Sequence, residues 1–278
     1  MNFAGNDNIS NVFSIHPDFS SKPVPSAPRQ LHPHKSDCPF CSFAKELTPD
    51  CQYVGSGEDK REILAQTNHF YCILNRWGVF SNNSSELVVS KCFFQGMEEL
   101  SYEQAVEFIN LLKCRWEFRS GFGECLAYLN VGVQSGGSIN HLHAQVVNTL
   151  SGFSEPAKKL TSFSNIDSDI LEAKNLDLVL EASPGALSYI PNLPFGPAEV
   201  RVYGDNLESA AELILSAIRM ISNKTQWAYN IVFHFRIDDD RLFAQILPRY
   251  DLGLIYPNFF NTVIVGLDAK RYKELLLN

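Results

Sequence analysis

Residues 135–147 read SGGSINHLHAQVV: a Gly/Ser turn, then His141, His143 and Gln145 on alternate positions, then aliphatic residues. Alternation is the period of a β-strand, whose successive side chains point to opposite faces. His141, His143, Gln145 and Val147 then share one face, and Leu142, Ala144 and Val146 pack the other. Two steps along a strand cover about 7 Å, so His143 and Gln145 can reach one phosphate group. The loop before them, NVGVQSGGSIN from Asn130 to Asn140, supplies Gly132, Gly136, Gly137 and Ser138. Glycine backbone can approach a ligand closely, and successive N–H groups make a nest for an anion. An imidazole with a pKa of about 6.5 is a neutral nucleophile at pH 7. Gln145 can donate a hydrogen bond but cannot titrate, so the natural leaving group is one that departs without a proton, such as a phosphate.

Strand signals continue on both sides. HFYCILN (69–75), ELVVSK (86–91) and LAYLNVGV (126–133) have strand composition, and SNNSS separates the first two. Between them Ser101-Tyr-Glu-Gln104 has the form of a capping box, followed by Ala105, Phe108, Ile109, Leu112 and Trp116 at helical spacing, ending near Gly121. Helix, strand and strand occur again in 205–222, AYNIVFHF (228–235) and RLFAQILPR (241–249), after the strand EVRVY (199–203) and an Asp205-x-x-Glu208 cap. The expected fold class is therefore α+β, with two tandem units, each an antiparallel sheet with a packed helix. The boundaries are an extended N-terminal arm with its Cys-x-x-Cys turn at 1–58, a unit at 59–150, and a connecting segment plus second unit at 151–278. The second unit carries RLFAQ in place of HLHAQ, so no catalysis is expected at Arg241 or Gln245, and His234 reads as a packed histidine.

Acidic residues outnumber basic ones, 31 to 23, and no Lys/Arg-rich run tracks a phosphate backbone, so nucleic acid is not an expected partner. No apolar stretch approaches the roughly 20 residues that span a bilayer, and the opening MNFAGNDNISNVF lacks the pattern of a secretion signal. The expectation is a cytoplasmic protein without a membrane partner. Seven cysteines, all in the first half, do not form a disulfide framework. Cys38 and Cys41 have the spacing that lets two thiolates of one turn bind the same zinc ion, which is half a site. Cys51, Cys72, Cys114 and Cys125 read as core or surface thiols.

HLHAQ resembles the His-x-His-x-Gln signature of the transferase branch of the histidine triad superfamily, the galactose-1-phosphate uridylyltransferases and ADP-glucose phosphorylases. DCPFCSFAKELTP (37–49), YCILNRWGVF (71–80) and NVGVQSGGSINHLHAQ (130–145) are similar to further segments of that family, so the likeness covers residues 37–148. The resemblance implies two histidine-triad-like units and nucleotidyl transfer by double displacement, with a covalent nucleotidyl-histidine intermediate. It implies His143 as nucleophile, Gln145 as the group that steadies the adduct, and Asn75, Arg76, Asn130, Gly132, Gly136, Gly137, Ser138 and Asn140 as substrate-binding. Trp77 beside Arg76 could contribute or simply pack. The implied partners are a nucleoside-diphosphate sugar or dinucleotide and a phosphate or sugar-phosphate acceptor, with a homodimer as an alternative to a monomer. The resemblance also implies structural Zn²⁺ at Cys38, Cys41, Cys92 and His141. Cys92 stands where zinc-bearing relatives place a histidine, and His69, His32 and His34 are alternatives to it. The rival readings are a histidine-triad hydrolase and a non-catalytic nucleotide-binding protein.

Overall fold

The computed structural model describes residues 38–75, 85–137, 139–148, 165–192, 199–225, 228–237, 239–249 and 269–277. The arm before Cys38, Arg76, Trp77 and Ser138 lie outside the described residues. Eleven strands form one antiparallel sheet: β1 (Tyr53–Val54), β2 (Arg61–Gln66), β3 (Phe70–Leu74), β4 (Ser85–Ser90), β5 (Cys125–Val131), β6 (His143–Asn148), β7 (Val179–Ser183), β8 (Ala186–Tyr189), β9 (Val200–Gly204), β10 (Ala228–Arg236) and β11 (Asp239–Arg249). Their order across the sheet is β1-β2-β3-β4-β6-β5-β10-β11-β9-β8-β7. The described helices are α1 (Pro39–Glu46), α2 (Tyr102–Ser120), α3 (Ile166–Asn175), α4 (Leu207–Thr225) and α5 (Ala269–Leu277). The class is α+β.

Read from β2 inward and from β7 inward, the order is the same: three strands, then the last strand of a hairpin, then its first. The two hairpins meet where β5 pairs with β10, with Asn130 opposite Asn230 and Leu129 opposite Ile231. Backbone hydrogen bonds thus run without a break from one half to the other. The central strands β5, β6, β10 and β11 alternate apolar residues toward one face, among them Ala127, Leu129, Ala144, Val146, Ile231, Phe233, Ala244 and Ile246. That face is covered by α2 and α4, which bring Phe108, Ile109, Leu112, Ile214 and Ile218 to a single core. Ala173 of α3 and Tyr272 and Leu276 of α5 join it.

The capping box of α2 is formed as its sequence suggests, with Ser101 Oγ accepting from Gln104 N at 3.2 Å and Ser101 N donating to Gln104 Oε1 at 2.9 Å. Three expectations are corrected. Cys38–Cys41 is the start of a helix rather than an isolated turn, because Pro39 at the first helical position fixes a helical φ and its missing N–H costs nothing there. The cap of α4 is Asn206, whose Oδ1 accepts from Ser209 N at 2.9 Å, while Asp205 accepts from Tyr203 Oη at 2.8 Å. The segment after residue 164, read as a connection, contains α3, β7 and β8, whose short length hides their period.

Beneath α2, Glu86 of β4 is buried and clamped by Arg115 Nε at 2.6 Å, Arg115 Nη2 at 2.8 Å and Arg119 Nε at 2.7 Å. Removing one partner of such a group leaves uncompensated charge. Glu86→Gln is expected to cost about 3 kcal/mol or more in urea unfolding at pH 7, and a loss below about 1 kcal/mol would show the clamp to be energetically minor.

Candidate functional site

The face of the sheet opposite α2 carries the histidines. Strand β6 begins at His143, so His141 lies just before it rather than within the strand. Leu142 is held between Phe94 and Ser90, its N donating to Phe94 O at 2.6 Å and its O accepting from Ser90 N at 3.1 Å. This kink of two residues gives the two imidazoles different surroundings.

His143 is buried, and its Nδ1 lies 2.7 Å from His141 O. A carbonyl oxygen only accepts, so Nδ1 carries the proton and Nε2 keeps its lone pair. Burial lowers the pKa of His143, which keeps the ring neutral at pH 7. Gln145 follows on the same face, paired with Leu87 on one side and Tyr128 on the other. Its Oε1 accepts from Asn75 Nδ2 at 3.5 Å, and Asn75 also donates to Ser85 Oγ at 3.1 Å. The Gln145 amide nitrogen is left to donate elsewhere. Asn130 is the next position after the Leu129–Ala144 pair, which sets it beside His143.

The loop after β5 turns on Gly132 and Gly136, both at φ +85°. Gly132 O accepts from Gly137 N at 3.1 Å and Ser135 Oγ at 2.7 Å, and a Cβ on Gly137 would meet Gly132 O at 2.8 Å. A side chain at 132 would meet Ala228 Cβ at 2.6 Å. The glycines are thus required by the closure of the loop itself. Asn140 is half-buried at its far end.

His141 is turned the other way. Its Nε2 lies 2.8 Å from Ser90 O, so Nε2 carries the proton and the Nδ1 lone pair faces Cys38 Sγ at 3.3 Å and Cys41 Sγ at 3.5 Å. The three ligand atoms lie within 4.8 Å of one another, and all three residues are buried. In a tetrahedral site with Zn–S of about 2.3 Å and Zn–N of about 2.0 Å, sulfur and nitrogen would stand about 3.5 Å apart. The donor set and its spacing fit zinc. Burial holds His141 at a pKa of about 4, so it is the neutral ring that metal binding needs. Helix α1 is locked to the sheet by Tyr71 Oη donating to Phe40 O at 3.2 Å, and Phe40 packs against both His141 and His143, ring centroids 5.5 and 5.2 Å apart.

Cys92 is exposed and does not belong to this group. Its backbone oxygen accepts from Ser90 Oγ at 2.7 Å. His69 is engaged by Glu107, Nδ1 to Oε2 at 2.6 Å, and His32 and His34 lie outside the described residues. An open cavity of about 440 Å³ lined by Glu62, Leu74, Glu86, Arg115 and Phe118 lies toward α2, apart from the histidines.

Solved structures share this fold. An ADP-glucose phosphorylase from Arabidopsis thaliana with bound ADP-glucose aligns over 95% of this chain and 94% of its own at 15% identity, TM-score 0.63. The fold is that of the uridylyltransferase-like proteins. A uridylyltransferase aligns over 90% of this chain and 92% of its own at 15% identity, TM-score 0.58. A DUF4931 family protein from Bacillus cereus aligns over 78% of this chain and 98% of its own at 16% identity, TM-score 0.57. No protein-family profile and no curated protein sequence matches the chain. Among the described residues no helix is long and apolar enough to cross a membrane.

Sequence reading did not find the polar chain on this same face of the second half. Gln245 pairs in register with Val232 and Arg201, and its Oε1 lies 2.8 Å from His234 Nε2 while its Nε2 donates to Glu199 Oε1 at 2.9 Å. Arg201 Nε reaches Glu199 Oε1 at 2.7 Å, and its Nη1 is paired with Asp169 of α3. Phe243, stacked on His234, occupies the place in RLFAQ that His143 holds in HLHAQ. Burial holds His234 at about 4, below its ordinary value of about 6.5. The unfolded chain takes up a proton that the folded chain refuses, so stability from this residue is full above about pH 6.5 and is lost as pH falls toward 4. The histidines of the first half act in the same sense and remain in the variant. Urea unfolding of wild type and His234→Gln at pH 7 and pH 5 should therefore show the difference between them shrink by roughly 1–2 kcal/mol at pH 5. An unchanged difference would mean His234 titrates normally.

Proposed function

We propose that the chain is a nucleotidyltransferase that works by double displacement through His143. The observation that carries the reading is the bond from His143 Nδ1–H to His141 O, which leaves Nε2 as a neutral nucleophile beside Gln145, Asn130 and the Gly132–Gly137 loop. In the first step Nε2 forms a bond to the α-phosphorus of a nucleoside-diphosphate sugar or dinucleotide, and the bond from that phosphorus to the bridging oxygen breaks. The oxygen keeps the electron pair and leaves as part of a phosphate. In the second step an oxygen of a phosphate or sugar-phosphate acceptor attacks the same phosphorus, and the pair returns to Nε2. Gln145 donates to a non-bridging oxygen as charge builds there. Asn75 holds Gln145 in place, and Arg76 and Ser138 are assigned to the substrate on the strength of the motif alone.

The two halves then divide the work. The unit at 59–150 holds the nucleophile, and the unit at 151–278 is a degenerate copy in which Phe243 stands for the histidine. The solved structures of similar fold support this reading, one of them holding ADP-glucose. Gln145 weighs against the hydrolase alternative, because it offers no proton to a poor leaving group.

Incubation with nucleotide substrates labelled at the α-phosphorus, followed by alkaline denaturation, is expected to trap an acid-labile label on wild type and none on His143→Asn. Gln145→Ala should slow adduct formation by about 10²-fold, the usual loss of one such donor. Equal labelling of wild type and His143→Asn would overturn the reading, and release of free monophosphate with no effect of added acceptor would favour the hydrolase.

The same reading places structural zinc at Cys38, Cys41 and His141, where it would tie α1 to the catalytic strand. Metal analysis of purified protein is expected to find about one zinc per chain, lost in Cys38→Ser and in Cys41→Ser and kept in Cys92→Ser. Retention of zinc in Cys38→Ser would refute these ligands, and its loss in Cys92→Ser would restore Cys92 as the fourth.

A further inference from the structure

Strand β11 ends on Arg249, in register with Ala228 of β10, whose methyl group packs under Gly132 at the start of the Gly-rich loop. The guanidinium therefore stands at the loop end of the β5–β10 seam. Its Nε donates to Asn230 Oδ1 at 2.5 Å. Asn230 Nδ2 in turn donates to Asn130 Oδ1 at 2.6 Å and to Ser135 O at 2.9 Å. Asn130 is the register position beside His143, so a chain of side-chain bonds leads from the second half of the molecule to the strand position next to that histidine.

Arg249 lies on the histidine face. Asn130 and Asn230 face each other and bond through their side chains, Leu247 is opposite Asn230, and Arg249 is two residues beyond Leu247. Among the described residues it pairs with no carboxylate. One of its five N–H groups is used by Asn230. Among the described residues its two terminal nitrogens have no partner, and they form the planar fork that binds two phosphate oxygens at once. Asn230 and His143 stand two strand spacings apart at the backbone, about 10 Å, and the guanidinium that bonds to Asn230 shares a face of the sheet with the imidazole.

We propose that Arg249 binds the second phosphate: the one that departs when His143 takes up the nucleotide, and the acceptor's phosphate in the return step. This rests on the nucleotidyl-transfer reading and adds a residue to it. The bond that breaks in the first step leaves its electron pair on the bridging oxygen, and Gln145 supplies no proton there. A guanidinium, charged at every working pH, balances that developing charge. The second half of the chain thereby contributes the leaving-group and acceptor site, although its own motif is degenerate.

Calorimetric titration of full-length wild type, Arg249→Met and Arg249→Lys with AMP, ADP, UMP and UDP tests this without turnover. Arg249 is exposed, and thermal unfolding of each unliganded variant first checks that loss of its bond to Asn230 leaves the fold intact. Wild type is expected to bind at least one diphosphate about tenfold or more tightly than the matching monophosphate, the scale of a charge-assisted bond. Arg249→Met should bring the two within about twofold while the monophosphate affinity changes less than about threefold, and Arg249→Lys should keep an intermediate preference. A preference that survives in Arg249→Met, or is absent from wild type that binds the monophosphate, overturns the Arg249 site and leaves the nucleotide site standing. Wild type that binds none of the four overturns both.

Discussion

The pairing of β5 with β10 is the constraint on which the remaining geometry depends. It joins two sets of strands into one sheet, so α2 and α4 share a core on one face and the polar residues of both halves share the other. Because Asn130 is set opposite Asn230, side chains a hundred residues apart are aligned as a row across the seam. Backbone hydrogen bonds, rather than side-chain affinity, set this alignment. A shift of one residue would turn Asn230 to the core and break the row.

Two imidazoles two residues apart acquire opposite chemistry through two carbonyl oxygens. His141 O fixes the proton of His143 on Nδ1, and Ser90 O fixes that of His141 on Nε2. One ring then keeps its lone pair on Nε2 and the other presents Nδ1 toward two thiols. The kink at Leu142, pinned by Phe94 and Ser90, is what allows it. Metal ligation at His141 and nucleophilic attack at His143 would be mechanically linked, since the oxygen that orients the second ring belongs to the residue that would hold a metal.

The two halves use the same strand order for different ends. In the first half the motif strand lies beside a glycine loop, with His143 buried against Phe40. In the second half the equivalent polar residues are consumed by one another, in the chain His234, Gln245, Glu199 and Arg201, which ends on Asp169 of α3. Satisfied in this way, buried polar groups rigidify the second half. Arg249, at the strand end and outside that chain, escapes this consumption.

Much of the site was legible in the sequence, because its signals are local. Alternation in HLHAQ, the capping box at Ser101, the Cys-x-x-Cys spacing and the glycines of the loop each follow from the period or the backbone freedom of a few adjacent residues. The sequence by itself thus determined the α+β class, the candidate nucleophile and half of a metal site. Only tertiary structure decided which way His141 faces, that Cys92 stands outside the thiol pair, and that Asn230 and Arg249 connect to Asn130 beside His143. The reason is physical: those relations depend on strand register between segments about a hundred residues apart, and no local pattern encodes which distant strand a given edge will meet.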